Sequence, residues 1–192
     1  VERNIGRAET GIETKQITIP SPKECLYLLK KYEVYPHIII HSKQVARIAM
    51  FLAKELKKQK MALNLDLVEA GALLHDIAKT YSIEHPGVQH TIKGAEWLER
   101  LGYYEVADIV RSHVDLPEEL SIDEKTIVNY ADKRVKHDII VSVEERFEDL
   151  FKRYGQTEEK YRYLKQLYKR SKRLESLIFS YLSFGPEFIN NL

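Results

Sequence analysis

The chain has 192 residues, 31% of them charged and 44% hydrophobic, which fits one domain with a full core and an ordinary soluble composition. With 30 Lys and Arg against 29 Asp and Glu, the formal net charge is +1, so charge gives no case for nucleic acid or an anionic membrane as partner. The single cysteine, Cys25, excludes an intramolecular disulfide framework and fits a reducing compartment. No apolar run approaches the roughly 20 residues of a membrane span and no signal-peptide pattern appears, so a cytoplasmic protein is expected. Beginning at Val1 rather than Met, it is expected to be trimmed or a piece of a longer polypeptide.

Residues 1–20 are polar, with Gly6 and Gly11, and read as a linker or arm; only Gln16-Ile17-Thr18-Ile19 hints at a strand, which has nothing to pair with. Ser21-Pro22-Lys23-Glu24 is a helix start, with Ser as N-cap, Pro in the first turn and Glu three residues on. That helix runs to about Tyr32, and Tyr35-Pro36 marks a break. From Ile38 to about Gln59, His41, Val45, Ile48, Ala49, Leu52 and Leu56 fall on one helical face, with His41 at its head. A third helix starts near Asn64, where Val68, Gly71 and His75 share a face and Gly71 permits close packing. Tyr81 to Gly87 reads as a loop.

His90 opens the next helix, with Gly94, Trp97, Leu98 and Leu101 on its inner side, and Gly102 ends it. Val106, Ile109, Val110 and His113 define another helix, and Leu116-Pro117 begins a loop. Ser121-Ile122-Asp123-Glu124 reads as a capping box, after which Val128, Asp132 and Val135 lie on one face. Ser142-Val143-Glu144-Glu145 is another, opening a helix expected to bury Val143, Phe147, Leu150, Phe151 and Tyr154 and to stop at Gly155. A long basic helix from Thr157 to about Ser183 carries Tyr161, Leu164, Tyr168, Ser171, Leu174, Ile178 and Tyr181 along one side, and Gly185-Pro186 closes it. The fold class is all-α. The expected organisation is an arm over 1–20, a metal-binding helical domain over 21–138 and a C-terminal helical extension over 139–192. The extension either packs on its own domain or forms a homodimer contact.

Helical periodicity places His41, His75, Asp76, His90, His113 and Asp132 on inward, apolar faces. One inward histidine is an ordinary core residue. Four of them with two carboxylates are not, because buried charges must be paired or bind a metal. Imidazole plus carboxylate suits Fe, Mn, Zn, Co or Ni. His75 and Asp76 are adjacent, and neighbours on a helix diverge by about 100°, so they can grip one ion together only at a helix end or irregularity.

His41, then His75-Asp76, then Asp132 resembles the H…HD…D signature of the HD-domain metal-dependent phosphohydrolases. Local contexts agree: His41-Ser42 with Val45-Ala46, Leu73-Leu74-His75-Asp76-Ile77-Ala78-Lys79, and Tyr130-Ala131-Asp132. The similarity extends from about Ile38 to Val135. His90-Thr-Ile-Lys-Gly94-Ala95 and Ser112-His113 are similar to segments of the two-metal subset. The resemblance implies a helical bundle in which His41, His75, Asp76 and Asp132 hold a first divalent metal. Asp76, His90 and His113 hold a second, with Asp76 bridging. It also implies cleavage of a phosphoester or phosphoanhydride, in a nucleotide or other small phosphate ester, by a metal-activated water.

Lys79, one turn after the His-Asp pair, is placed to reach a phosphate oxygen and is, with Asp76, a candidate catalytic residue. Lys133 and Arg134, flanking Asp132, are candidate substrate contacts, although solvated surface is the weightier expectation for both. His37, His85, His137 and Asp115 are read as polar surface or loop residues, His85 being a competitor for the place of His90. The substrate is less legible. The ligand order is similar to that of bacterial enzymes that split diadenosine tetraphosphate symmetrically, but Val114-Asp115-Leu116 replaces their small Gly-containing segment after the later histidine. The acidic-proline continuation after their final aspartate is missing too. The paired histidines and Gly-Tyr-Pro segment of cyclic-di-GMP phosphodiesterases, and the synthetase region of alarmone enzymes, are lacking. Two rivals use the same residues: an HD-fold di-iron oxygenase, and a non-catalytic nucleotide-sensing module.

Overall fold

A computed structural model describes residues 17–192; the arm at 1–16 lies outside the described residues. The segment 17–20 forms no strand, and its Ile19 packs against the core. Helix α1 (Pro22–Lys31) starts as expected, with the Ser21 hydroxyl accepting from the Glu24 N–H at 3.3 Å. Helix α2 (Pro36–Lys58) is the central element, and α3 (Leu65–Leu74) opens on Asn64, whose side chain accepts from the Leu67 N–H. After a turn at 75–78, a short helix α4 (Lys79–Glu84) replaces the loop expected from Tyr81 onward. Its six residues show no apolar face in sequence, and its start depends on the turn that precedes it.

Helices α5 (His90–Arg100) and α6 (Tyr104–Ser112) form an antiparallel pair, joined through Gly102 at φ 84°, a left-handed conformation that favours glycine. Helix α7 (Glu124–Asp132) corrects the expected cap. Asp123, not Ser121, is the N-cap, and it exchanges hydrogen bonds with Thr126. A two-residue antiparallel hairpin, β1 (Val135–Lys136) and β2 (Ile139–Ile140), follows with Val135 opposite Ile140. It was not visible in the sequence, being too short to show a period.

Helix α8 (Val143–Tyr154) has the expected Ser142/Glu145 capping box, and α9 (Glu158–Phe179) is capped by Thr157. A 3-10 turn at Pro186–Asn191 closes the chain. On α8 only Val143 and Phe147 are buried; Leu150 and Phe151 are half-buried, and Tyr154 is exposed. On α9 the buried stripe is Leu164, Leu167, Ser171, Leu174, Glu175 and Ile178, while Tyr161 stays exposed; the helix ends at Phe179, short of the expected Ser183, and leaves Tyr181 exposed in the turn that follows.

A single apolar cluster runs through the described helices. It joins Leu52, Leu74, Val110 and Ile127 to Phe147, Leu174, Ile178 and Ile189, so α8, α9 and the closing turn share the core of α1–α7. Two glycines set close approaches: a Cβ on Gly71 would lie 2.7 Å from Ile109, and one on Gly94 would lie 2.9 Å from Val110. These contacts draw α3 and α5 onto α6. Among the described residues, no helix is long and apolar enough to cross a membrane.

Candidate metal centre

The six inward polar residues converge, and helix ends supply most of them. His75 caps the C-terminus of α3, His113 caps α6, Asp132 is the last residue of α7 and His90 the first of α5; His41 comes from the body of α2. Because α3 stops at Leu74, the turn that follows lets His75 and Asp76 face the same point, as a continuous helix would not.

Asp132 Oδ1 lies 3.1 Å from His41 Nε2 and 3.8 Å from His75 Nε2. Asp76 turns Oδ2 toward His75 Nε2, at 3.7 Å, and Oδ1 toward His90 and His113 Nε2, at 3.2 and 3.6 Å. The imidazoles form a row, with ring centroids 5.4 Å apart for His41–His75, 5.0 Å for His75–His113 and 5.3 Å for His90–His113. Two triads, His41/His75/Asp132 and His75/Asp76/His113, each offer one ligand atom per residue within 4.8 Å of one another.

The backbone fixes which nitrogen faces inward. His75 Nδ1 donates to Ala72 O and His113 Nδ1 to Val110 O, both at 2.8 Å and both three residues back, on carbonyls left open in the last turn of a helix. His41 Nδ1 donates at 2.8 Å to the carbonyl of His137, a residue at φ 58°. A carbonyl only accepts, so each Nδ1 carries the proton and each Nε2 presents a lone pair to the cluster.

The donor set fits a cation. His75 Nε2, His90 Nε2 and Asp76 Oδ1 are buried without a hydrogen bond, although His90 Nε2 lies 3.2 Å from Asp76 Oδ1 and His75 Nε2 3.7 Å from Asp76 Oδ2. Each such orphan costs roughly 1–3 kcal/mol, so three at one point would be hard to tolerate without a ligand. Burial holds the His75 imidazole down at about 4, in the neutral form a metal requires. Burial also lowers His90. It opposes the ionised forms of Asp76 and Asp132, yet Lys79 and His75 around the one, and Lys133 and His41 around the other, keep both well below the usual carboxylate range. His41 is raised: burial works against its charged form, and the Asp132 carboxylate outweighs it.

The cluster opens into a cavity of about 720 Å³. Lys79 lines it, with Nζ 4.0 Å from Asp76 Oδ1 and the side chain one-third exposed. Lys133 corrects the expectation of solvated surface: it is buried, 2.7 Å from Asp132 Oδ2, and lines the same cavity. Arg134 does not belong to the site. Its guanidinium is fully buried and donates to Val141 O, Tyr130 Oη, Pro186 O and Asn190 Oδ1, all in the structural core. The helical turn that points Asp132 and Lys133 at the cavity points the next residue away from it.

His85 stacks on Tyr81 and bonds to its carbonyl outside the cavity, leaving the inward place to His90. His37 is exposed at the cavity lining, and His137 contributes its carbonyl while its ring stays exposed. Asp115 accepts from Tyr163 Oη at 2.5 Å, tying α9 to the end of α6. Sequence reasoning missed Asn129, whose Nδ2 donates at 2.7 Å to His113 O and so ties α7 to the helix end that carries His113. It also missed the cavity wall formed by α8 and α9, although charged residues at helical spacing were there to be read.

This constellation has known counterparts. The HD domain family model matches residues 38–135, and the chain belongs to that family. The matched span runs from the start of the His41 face to the residue after Arg134. Over 112 residues the chain is 38% identical to a tRNA (cytidine(56)-2'-O)-methyltransferase of Thermoplasma volcanium, covering 58% of this chain and 30% of that one. Over 97 residues it is 40% identical to ribonuclease Y of Fervidobacterium nodosum, covering 50% and 17%. The chain thus spans less than a third of either relative. A solved structure of a predicted HD superfamily hydrolase from an uncultured Thermotogales bacterium is 23% identical, with a TM-score of 0.47 over 84% of this chain and 93% of that one.

Proposed function

We propose that the chain is a metal-dependent phosphohydrolase that cleaves a phosphoester or phosphoanhydride of a nucleotide or small phosphate ester. The observation that carries this reading is the Asp76 carboxylate, which offers one oxygen toward His75 and the other toward His90 and His113. In this reading His41, His75, Asp76 and Asp132 hold one divalent ion, and Asp76, His90 and His113 hold another. Bound divalent metals supply Lewis acidity toward phosphoryl oxygens and lower the pKa of water to near neutrality. The name of the ribonuclease Y relative is in keeping with hydrolysis of a phosphorus ester.

The protein's own groups do the rest. Nδ1 bonds to Ala72, Val110 and His137 carbonyls lock three imidazoles in the ligand tautomer before any substrate arrives. Lys79 is within reach of a non-bridging oxygen of a phosphoryl group seated beside Asp76, where its charge offsets the charge that develops in the transition state. Lys133 keeps the Asp132 carboxylate ionised and oriented. Apolar cavity walls at Ile38, Leu164 and Leu167 limit water around the reacting centre.

The test is a hydrolysis screen with Mn, Fe, Co and Ni against mononucleotides, dinucleoside polyphosphates and cyclic nucleotides. At least one metal should support phosphate-ester cleavage, and Asp76→Ala should abolish it together with most bound metal. Full turnover by Asp76→Ala would refute this mechanism. Substrate-dependent oxygen uptake by the iron-loaded protein, with no ester cleaved, would replace it with the oxygenase reading.

A further inference from the structure

The cavity that holds the His/Asp ligand cluster has a second charged region, built by α8 and α9. Helix α8 lines it with Arg146, Leu150, Arg153 and Tyr154, at i, i+4, i+7 and i+8; α9 does so with Lys160, Tyr163, Leu164 and Leu167, at i, i+3, i+4 and i+7. Each helix therefore turns one continuous face into the cavity, and each face mixes cations with aromatic and aliphatic side chains. Beyond the cluster carboxylates, Asp138 is the one acidic residue of the lining, against Arg146, Arg153 and Lys160 on this wall and Lys79 and Lys133 beside Asp76 and Asp132.

Internal pairing does not neutralise the wall. Arg146, Arg153 and Lys136 all turn to a single carboxylate, Asp149, leaving an excess of positive charge around it. Arg146 Nε is buried and makes no hydrogen bond. Lys160, the third residue of α9, lines the cavity and takes part in no ion pair among the described residues. The wall is also anchored: Tyr163 bonds to Asp115, and Arg170 donates to Leu116 O at 3.0 Å, both in the loop that follows His113. Tyr154 and Tyr163, with Ile40 and Ile83 also in the lining, add aromatic and aliphatic surface next to this charge.

Resting on the phosphohydrolase reading, we infer that α8 and α9 form a second anion subsite, centred on Arg153 and Lys160. The preferred substrate is then a nucleotide carrying a further phosphate remote from the one hydrolysed. A phosphoryl group at the ligand cluster engages Lys79 alone, because Lys133 is already paired with Asp132. A second phosphate on the same molecule reaches the cations of the helix pair, and the nucleoside between them meets the tyrosine and aliphatic surface. A nucleoside monophosphate leaves one of the two charged regions empty.

Equilibrium binding tests this separately from turnover. Calorimetric titration of the metal-loaded protein with adenosine 3',5'-bisphosphate should give a Kd at least about tenfold below that of either the 3'- or the 5'-monophosphate, the margin expected of one added charge-assisted contact. In the double variant Arg153→Gln, Lys160→Gln that ratio should fall to near one. Asp149 keeps Arg146 and Lys136 as partners there, and both altered side chains are solvent-exposed. Arg162→Gln, an exposed change on α9 outside the cavity lining, should retain the ratio. Equal binding of mono- and bisphosphate by the unaltered protein overturns the subsite, as does a double variant that keeps the gap or an Arg162→Gln that loses it. Tight bisphosphate binding without cleavage under any divalent metal supports the subsite and removes the hydrolase reading. Cleavage with no binding gap does the reverse.

Discussion

Arg134 is the sharpest test of the division between site and scaffold, because Asp132 and Lys133 just before it both serve the cavity. Replacing it with Met keeps the length and apolar stem but removes four donated hydrogen bonds: to Val141 O and Asn190 Oδ1 at 2.7 Å, Tyr130 Oη at 2.8 Å and Pro186 O at 3.1 Å. Breaking one side of a buried charged network typically costs about 3–5 kcal/mol. The low end applies here. Glu175, 3.9 Å from the guanidinium, keeps Tyr130 and Lys172 as partners, so no carboxylate is stranded. A loss of about 3 kcal/mol corresponds to a Tm drop of roughly 6–12 °C for a chain of this size. Thermal denaturation followed by circular dichroism measures it, with bound metal per chain assayed on the same samples at low temperature. Metal content should be unchanged. An unshifted Tm with impaired turnover would show that Arg134 acts on substrate after all.

Two further predictions concern the cluster itself. His113→Ala should lower bound metal from two equivalents toward one per chain by elemental analysis, with helical content retained; an unchanged metal content would refute the assignment of two sites. Lys79→Met should reduce kcat by about 10²–10³-fold, the usual cost of removing one donor that stabilises transition-state charge. Metal binding should persist in that variant, and a kcat within a fewfold of the unaltered protein would leave Lys79 a mere neighbour of Asp76.

Much of the architecture was legible because burial acts on long periodic stretches. The Val45–Leu56 stripe of α2 and the inner faces of α5 and α6 repeat often enough for a 3.6-residue period to stand out. The same logic located His41, His75, Asp76, His90, His113 and Asp132, since an ionisable residue in an apolar stripe breaks a strong pattern. What escaped was decided by tertiary contact. Helix α4 and the 135–140 hairpin are too short to carry a period. Ser121 lost the capping role to Asp123 because the helix starts at Glu124, two residues beyond its reach as N-cap, and its hydroxyl donates to Asp123 Oδ2 instead. Lys133 and Arg134 look alike in sequence; which side of a helix end each faces sends one to Asp132 and the other to the C-terminal turn. On α8 and α9 the charged residues stand at helical spacing in the sequence, but only the packing of the two helices shows that this face borders the cavity.

The convergence of helix ends has a consequence for cation affinity that the side chains alone do not convey. The C-termini of α3, α6 and α7 all reach the cluster, marked by His75, His113 and Asp132. A helix C-terminus carries roughly half a negative charge. Three of them together favour a cation at this point through the main chain, before any ligand is counted. Nδ1–H bonds from His75 and His113 take up one carbonyl each at two of these ends and turn Nε2 toward the cluster. Each histidine thus completes its helix and presents a ligand in a single conformation. The N-termini of α5, at His90, and of α4, at Lys79, have the opposite polarity, and both residues line the cavity on the side where a phosphoryl group is proposed to approach. Main-chain polarity therefore separates a cation-favouring part, where His75, His113 and Asp132 end their helices, from an anion-tolerant side at His90. The latter is the part beside Lys79, where the phosphate is proposed to sit.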